Sequence, residues 1–135
     1  MGLEFRFIDK EFTAWAGMGL MKRMHDRIDF SSALEACELP RQKSNRRYSP
    51  NQLIVQFMVS VWCGANRFEH SEVTRHDPVL QKLFGFDRMV NFKAITRLFR
   101  KFDQATTTPV SGRLYRWFLG NLNIDHLMPD LDSTV

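Results

Sequence analysis

The chain has 135 residues and a mass of 15.9 kDa, the size of one ordinary domain. A hydrophobic fraction of 44% and a charged fraction of 25% are typical of a soluble folded protein, which excludes a disordered tail or a low-complexity linker. Two cysteines, Cys37 and Cys63, are too few for a disulfide scaffold and favour the cytoplasm. The longest apolar stretch, residues 53–65, is too short to cross a bilayer, so we expect no membrane partner.

The net charge of +4 is distributed unevenly along the sequence. Residues 88–120 carry seven basic side chains and a single acidic one, Asp103. Residues 121–135 carry no Lys or Arg and three aspartates, Asp125, Asp130 and Asp132. The basic segment favours a polyanionic partner, and the acidic end favours either a metal site or a solvated chain end.

Apolar residues keep helical spacing from Lys10 to Ile28, which predicts a first helix over that range. Ser31 and Ser32 can begin a second, short helix that runs to Cys37. Residues 41–47 are basic and polar and are predicted to form a loop. The pattern Ser49-Pro50-Asn51-Gln52 then combines an N-cap, a proline at the first helical position and a capping box. It predicts a central helix to about Ala65, because most of that helix surface is apolar.

The segment 92–102 is strongly two-faced on a helical wheel. Its apolar side chains fall on one side, and its basic side chains, Lys93, Arg97, Arg100 and Lys101, fall on the other. Thr108-Pro109 predicts the start of a last helix that ends near Gly120, with Val110, Leu114, Trp117 and Phe118 facing inward. The β-branched end of the chain predicts a strand. The expected fold is therefore mainly α, a compact multi-helix domain over residues 1–122, followed by one strand within residues 123–135.

Basic side chains one helical turn apart can contact successive phosphates, and arginine guanidinium groups match phosphate oxygens. The sequence therefore predicts binding to double-stranded DNA, with a solvated outer helix face as the alternative. The predicted contacts are the basic residues of the loop and of the two-faced helix: Arg41, Lys43, Arg46, Arg47, Lys93, Arg97, Arg100 and Lys101.

Other chemistry-bearing residues give weaker signals. His70 and His76 do not have the spacing of a metal site. Neither cysteine lies in a local sequence typical of a hydrolase nucleophile, so we expect both to pack as small apolar groups. On a strand, Asp130 and Asp132 would share one face and could hold Mg²⁺. A polar chain end is the other interpretation of this pair.

Several short motifs occur in a fixed order along nearly the whole chain. They are Thr13-Ala-Trp-Ala-Gly17, Asn45-Arg-Arg-Tyr-Ser-Pro50, Gly64-Ala-Asn-Arg-Phe-Glu69, Asp77-Pro78, Leu83-Phe-Gly85, Thr96-Arg-Leu-Phe-Arg-Lys-Phe-Asp103 and Asp130-Leu-Asp-Ser-Thr-Val135. With these motifs the chain resembles the N-terminal part of a bacterial insertion-sequence transposase of the DDE type, in the group called transposase DDE domain group 1.

The resemblance implies an all-helical DNA-binding region followed by an RNase H-like catalytic domain with two aspartates and one glutamate. Asp132 matches the first of these aspartates and would be both catalytic and metal-binding, but only in a full-length context. The other two carboxylates have no counterpart in the 135 residues. Mg²⁺ or Mn²⁺ is implied for the full-length family, but we expect neither ion to bind tightly to this chain. By itself the chain should be inactive, because two-metal phosphoryl transfer needs all three carboxylates.

The sequence thus predicts a DNA-binding fragment of a cytoplasmic, nucleoid-associated transposase, acting on the terminal inverted repeats of an insertion sequence in DNA transposition. The alternative is a helical protein–protein module that mediates transposase dimerisation without contacting DNA. In that case the partner would be a second copy of the chain. An exposed apolar patch would favour the dimerisation module, and clustered positive charge would favour DNA.

Overall fold

The structure, a computed structural model, describes residues 10–40 and 48–122 of the chain. Within these two ranges the protein is mainly helical, as predicted, and contains no strand. The strand predicted within residues 123–135 lies outside the described ranges. Seven α-helices and a 3₁₀ turn at Phe68–His70 are present: α1 (Met18–Arg27), α2 (Phe30–Glu35), α3 (Pro50–Trp62), α4 (Ser71–Arg75), α5 (Pro78–Leu83), α6 (Phe92–Phe99) and α7 (Gln104–Gly120).

Helix α3 is central to the fold, as its apolar surface predicted. It begins where the capping signal lies, because the Ser49 hydroxyl accepts a hydrogen bond from the Gln52 N–H at 3.1 Å and Pro50 occupies the first position. Its side chains reach two groups of buried residues. Val59 packs with residues of α1, α2, α5 and α7, whereas Leu53 packs with the buried side of α6.

The predicted helix over residues 10–28 is too long, because α1 begins at Met18. Residues 10–17 are not helical, and the Thr13 hydroxyl accepts a hydrogen bond from the Trp15 N–H at 3.1 Å, a local bond that competes with helix formation. The apolar residues of α1 are not all buried. Met18 and His25 are buried, whereas Leu20 is 69% exposed.

The predicted start of the last helix at Thr108-Pro109 is also wrong. Helix α7 begins five residues earlier, because the Asp103 carboxylate caps it by accepting a hydrogen bond from the Thr106 N–H at 2.8 Å. Pro109 therefore lies inside the helix, where it cannot donate the usual backbone bond. Of the four side chains predicted to face inward, Phe118 is instead 52% exposed.

The segment between α5 and α6 is held by glutamine side chains rather than by regular structure. Gln56, fully buried on α3, donates to the Val90 carbonyl at 2.7 Å and accepts from the Val90 N–H at 2.9 Å. Gln52, one turn earlier, donates to the Arg88 carbonyl at 2.9 Å. Gln81 donates to the Asp87 carbonyl at 2.7 Å. The backbone that leads into α6 is therefore fixed from two helices.

None of the helices in the described ranges combines the length and the apolar character that a membrane crossing requires.

Gln56→Ala should destabilise the fold by about 2–4 kcal/mol, because it leaves the buried N–H and carbonyl of Val90 without partners. The matched variant Gln52→Ala removes a more exposed bond to the same segment and should cost only about 0.5–1 kcal/mol. Urea unfolding of both proteins measures the difference. Equal losses for the two variants would show that the Gln56 pairing does not hold this segment.

Candidate nucleic-acid interface

Helix α6 carries the basic face predicted from the sequence, and two side chains fix its first turn. The Asn91 side chain accepts a hydrogen bond from the Ala94 N–H at 3.2 Å, and the Glu72 carboxylate accepts one from the Phe92 N–H at 2.8 Å. The helix ends at Phe99, three residues before the predicted end at Phe102.

The inner face of α6 is as predicted. Ile95 and Leu98 are fully buried against α3. Phe99 contacts three other aromatic rings, with centroid separations of 5.0 Å to Phe57, 5.5 Å to Phe68 and 6.1 Å to Phe102. This packing fixes the rotation of the helix about its axis, and so determines which side chains face solvent.

The outer face of α6 presents Lys93, Arg97 and Arg100, all of them exposed. None of the three side chains is paired with a residue of the described ranges. The fourth predicted residue of this helix, Lys101, is half-buried and already has a partner within the chain. Lys93 and Arg100 are seven residues apart, which separates their Cα atoms by about 10 Å along the helix axis. We call Lys93, Arg97 and Arg100 the basic face of α6.

The acidic groups at the two ends of α6 are engaged in hydrogen bonds. Burial raises the pKa of the Glu72 carboxyl, but the bonds from Arg75, at 2.8 Å, and from the Phe92 N–H outweigh it and hold the pKa below its ordinary value. The hydrogen bonds from the side chain and backbone of Thr106 likewise lower the pKa of Asp103. Both carboxylates are therefore occupied by donors of the fold.

Several other basic side chains in the described ranges pair with carboxylates. Arg113 lies 3.2 Å from Glu38 and also donates to the Ala36 carbonyl at 3.1 Å, which ties α7 to the end of α2. Lys22 pairs with Asp26, and Lys82 pairs with Glu11. Within residues 88–120, Arg113 and Lys101 are therefore already engaged, so this segment has fewer free cations than its seven basic residues suggest.

The other predicted site residues lie outside the described ranges. These are Arg41, Lys43, Arg46 and Arg47 of the basic loop, and Asp132 with its predicted Mg²⁺ or Mn²⁺. Within the described ranges, no group of three or more His, Cys, Asp or Glu side chains lies close enough together to hold a metal ion.

Both cysteines lie in environments that disfavour the thiolate. Cys37 is buried, as predicted, and Cys63 is half-buried beside the same apolar residues. Burial, reinforced by the charge of Asp77, raises the pKa of the Cys63 thiol to about 11. Burial also raises the pKa of Cys37. A thiol that stays protonated at neutral pH is a poor nucleophile, so these side chains serve packing.

Sequence reasoning missed two features of this surface. The role of Glu72 depends on a hydrogen bond to a residue twenty positions away, and no local pattern predicts it. Arg88 was counted in the basic segment but was not predicted to be a site residue, although it is exposed and precedes α6 by only four positions.

No protein-family model, curated protein or solved structure matches this chain. The transposase resemblance therefore stays a prediction from the motifs of the sequence.

Glu72→Gln should lower the thermal midpoint by about 4 °C at pH 7. The substitution removes a negative charge that pairs with Arg75 and that also strengthens the hydrogen bond from the Phe92 N–H. At a partly exposed site this charge contributes about 1 kcal/mol. The folded-state pKa of Glu72 lies below its ordinary value of 4.5, so this contribution is present above that pH and is lost as the pH falls through the folded-state pKa.

The midpoints of the wild type and the Glu72→Gln variant should accordingly converge in thermal melts carried from pH 7 down to pH 2.5. A difference that stays constant over this range would show that the charge of Glu72 does not stabilise the fold.

Proposed function

We propose that this chain binds double-stranded DNA through the basic face of α6 and is the N-terminal part of a DDE transposase. The observation that carries the DNA-binding proposal is the arrangement of three exposed cations, unpaired among the described residues, on one side of a helix whose other side packs into the core. This arrangement delivers positive charge to a partner without rearrangement of the fold.

The geometry suits a polyanion. The major groove of duplex DNA is about 12 Å wide and admits an α-helix, and phosphate contacts supply most of the affinity of non-specific complexes. Arg97 and Arg100 have planar guanidinium groups that can hold phosphate oxygens in a fork or pair with a guanine edge, whereas Lys93 acts as a point charge. In this arrangement, all three side chains contact phosphates and provide orientation and charge.

The transposase part of the proposal is supported by the ordered motifs of the sequence. It assigns the DNA partner to the terminal inverted repeats of an insertion sequence and gives Asp132 a catalytic, metal-binding role in a polypeptide that also holds the second aspartate and the glutamate. Asp132→Asn in such a polypeptide tests that role, since it should remove Mg²⁺-dependent cleavage and spare DNA binding.

The paired substitution Lys93→Ala with Arg97→Ala should weaken duplex binding and its dependence on salt. Three phosphate contacts give a slope of log K against log salt of about −2.7, and loss of two contacts should reduce the slope by about 1.8. Labelled duplex titrated by fluorescence anisotropy between ~50 and ~200 mM salt measures both quantities. The thermal midpoint should stay almost unchanged, because both side chains are exposed.

Arg23→Ala is the matched control, because Arg23 is exposed and unpaired within the described ranges but lies on α1. It should leave the slope unchanged. If the wild type does not bind duplex at ~50 mM salt, or if the control changes the slope as much as the double variant, the proposed interface is wrong.

A second candidate function, dimerisation, is favoured by the C-terminal half of α7 and by Leu122, two residues beyond its end. Tyr115, Phe118 and Leu119 are exposed, and their spacing of three and four positions places them on one side of α7. Leu122 is exposed as well. We call these four residues the α7 stripe. Exposed large apolar side chains that cluster in this way are typical of protein contact surfaces. Sedimentation equilibrium tests this candidate, since association through the stripe should fall in Phe118→Ser.

A further inference from the structure

A second basic site lies beside α6, in a surface pocket of about 260 Å³ between α4, α5 and the segment before α6. Its walls are formed by Arg75, His76, Pro78, Gln81, Arg88 and Met89. Two of these residues are arginines, a third is a histidine, and no carboxylate of the described ranges lines the pocket. The volume exceeds that of several water molecules, each of which takes about 30 Å³ in the liquid.

The backbone of Arg88 is held by hydrogen bonds, whereas its side chain makes none with the described residues. Its carbonyl accepts the bond from Gln52, and the carbonyl of the preceding Asp87 accepts the bond from Gln81. The guanidinium has no partner among the described residues. A long basic side chain on a fixed backbone loses less conformational freedom when it binds a ligand than one on a mobile loop does.

Arg75 is oriented by Glu72, which accepts one of its five N–H donors at 2.8 Å. The other donors of this guanidinium stay available to the pocket. The negative charge of Glu72 is shared between Arg75 and the Phe92 N–H, so it does not oppose an anion in the pocket as a free carboxylate would.

We propose that this pocket binds a phosphate group, with Arg88 and Arg75 as the donors and His76 at its edge. Arginine forks match the oxygens of a phosphate and hold it in two bonds at a time. The same chemistry is offered by the phosphodiester backbone of DNA and by a free phosphate group, and the pocket itself does not distinguish them.

The position of the pocket favours the DNA backbone, an assignment that rests on the proposed function. The Glu72 carboxylate bonds Arg75 with one oxygen and the first N–H of α6 with the other, so the pocket lies at the N-terminal end of the basic face of α6. A DNA strand held along Lys93, Arg97 and Arg100 would bring a further phosphate to Arg88.

The first arm of the test uses inorganic phosphate and the whole chain labelled with ¹⁵N. Titration at constant pH and ionic strength should give saturable shifts of the side-chain Nε–H signals of Arg75 and Arg88, which sodium chloride does not produce. Arg88→Ala should weaken phosphate binding at least about tenfold, because it removes charged hydrogen bonds, and Arg23→Ala should not. Shifts that do not saturate, or that survive Arg88→Ala unchanged, would overturn the proposal.

The second arm uses duplex DNA and separates the two sources of phosphate. Arg88→Ala should reduce the salt slope of duplex binding by about 0.9, whereas Arg88→Lys should keep the slope and lose affinity. An unchanged slope with phosphate binding intact would support the pocket and assign it to a free phosphate group. A wild type that takes up phosphate but does not bind duplex would refute the proposed function and leave the pocket standing. Duplex binding without phosphate uptake would refute the phosphate pocket and leave the proposed function standing.

Discussion

The paired hydrogen bonds between the Gln56 side chain and the backbone of Val90 are the constraint on which the functional surface depends. They join the central helix to the residue two positions before α6, in a place where neither partner can bond water. A buried amide with both its donor and its acceptor satisfied specifies one arrangement, because any shift of the segment would break two bonds at once. These two bonds therefore set the direction in which the chain enters α6.

The rest of the surface is built on that fixed entry. Burial of Ile95 and Leu98 then sets the rotation of α6, and the basic face points to solvent as a result. The same segment carries Arg88, whose carbonyl is held by Gln52. One set of glutamine contacts thus places both the basic face of α6 and the proposed phosphate pocket, and a rigid arrangement of cations is what a polyanion of regular spacing requires.

The two candidate functions use different parts of the protein and are compatible with each other. The basic face belongs to α6, whereas the α7 stripe lies on the last described helix, which is tied to α2 through Arg113. A dimer formed through the stripes would carry two basic faces, and a dimeric DNA-binding protein contacts two half-sites at once.

The elements that sequence reasoning predicted well are those with local causes. The start of α3 follows from Ser49 and Pro50, which cap it within one turn, and the two faces of α6 follow from the spacing of its own side chains. The start of α7 was missed because two local signals compete, and the Asp103 cap extends the helix through Pro109. The excess length predicted for α1 has a similar cause, since the apolar spacing extends N-terminally beyond Gly17, where the helix begins, into the segment held by the Thr13–Trp15 bond.

The features that could not be predicted join residues that are far apart in the sequence. Gln56 lies 34 positions from Val90, and Glu72 lies 20 positions from Phe92. Nothing in the neighbourhood of either side chain indicates its partner. The phosphate pocket likewise needs Arg75 and Arg88 to meet across α5, and the sequence showed only that both are basic.

The most direct test of the account is to map duplex DNA onto the ¹⁵N-labelled chain by chemical-shift perturbation at low salt. Binding through the basic face of α6 should shift the amides of residues 92–100 and the side chains of Arg97 and Arg100, with no effect of DNA on the α7 stripe. Shifts confined to the α7 stripe, or a basic face that does not respond to duplex at any ratio, would contradict it.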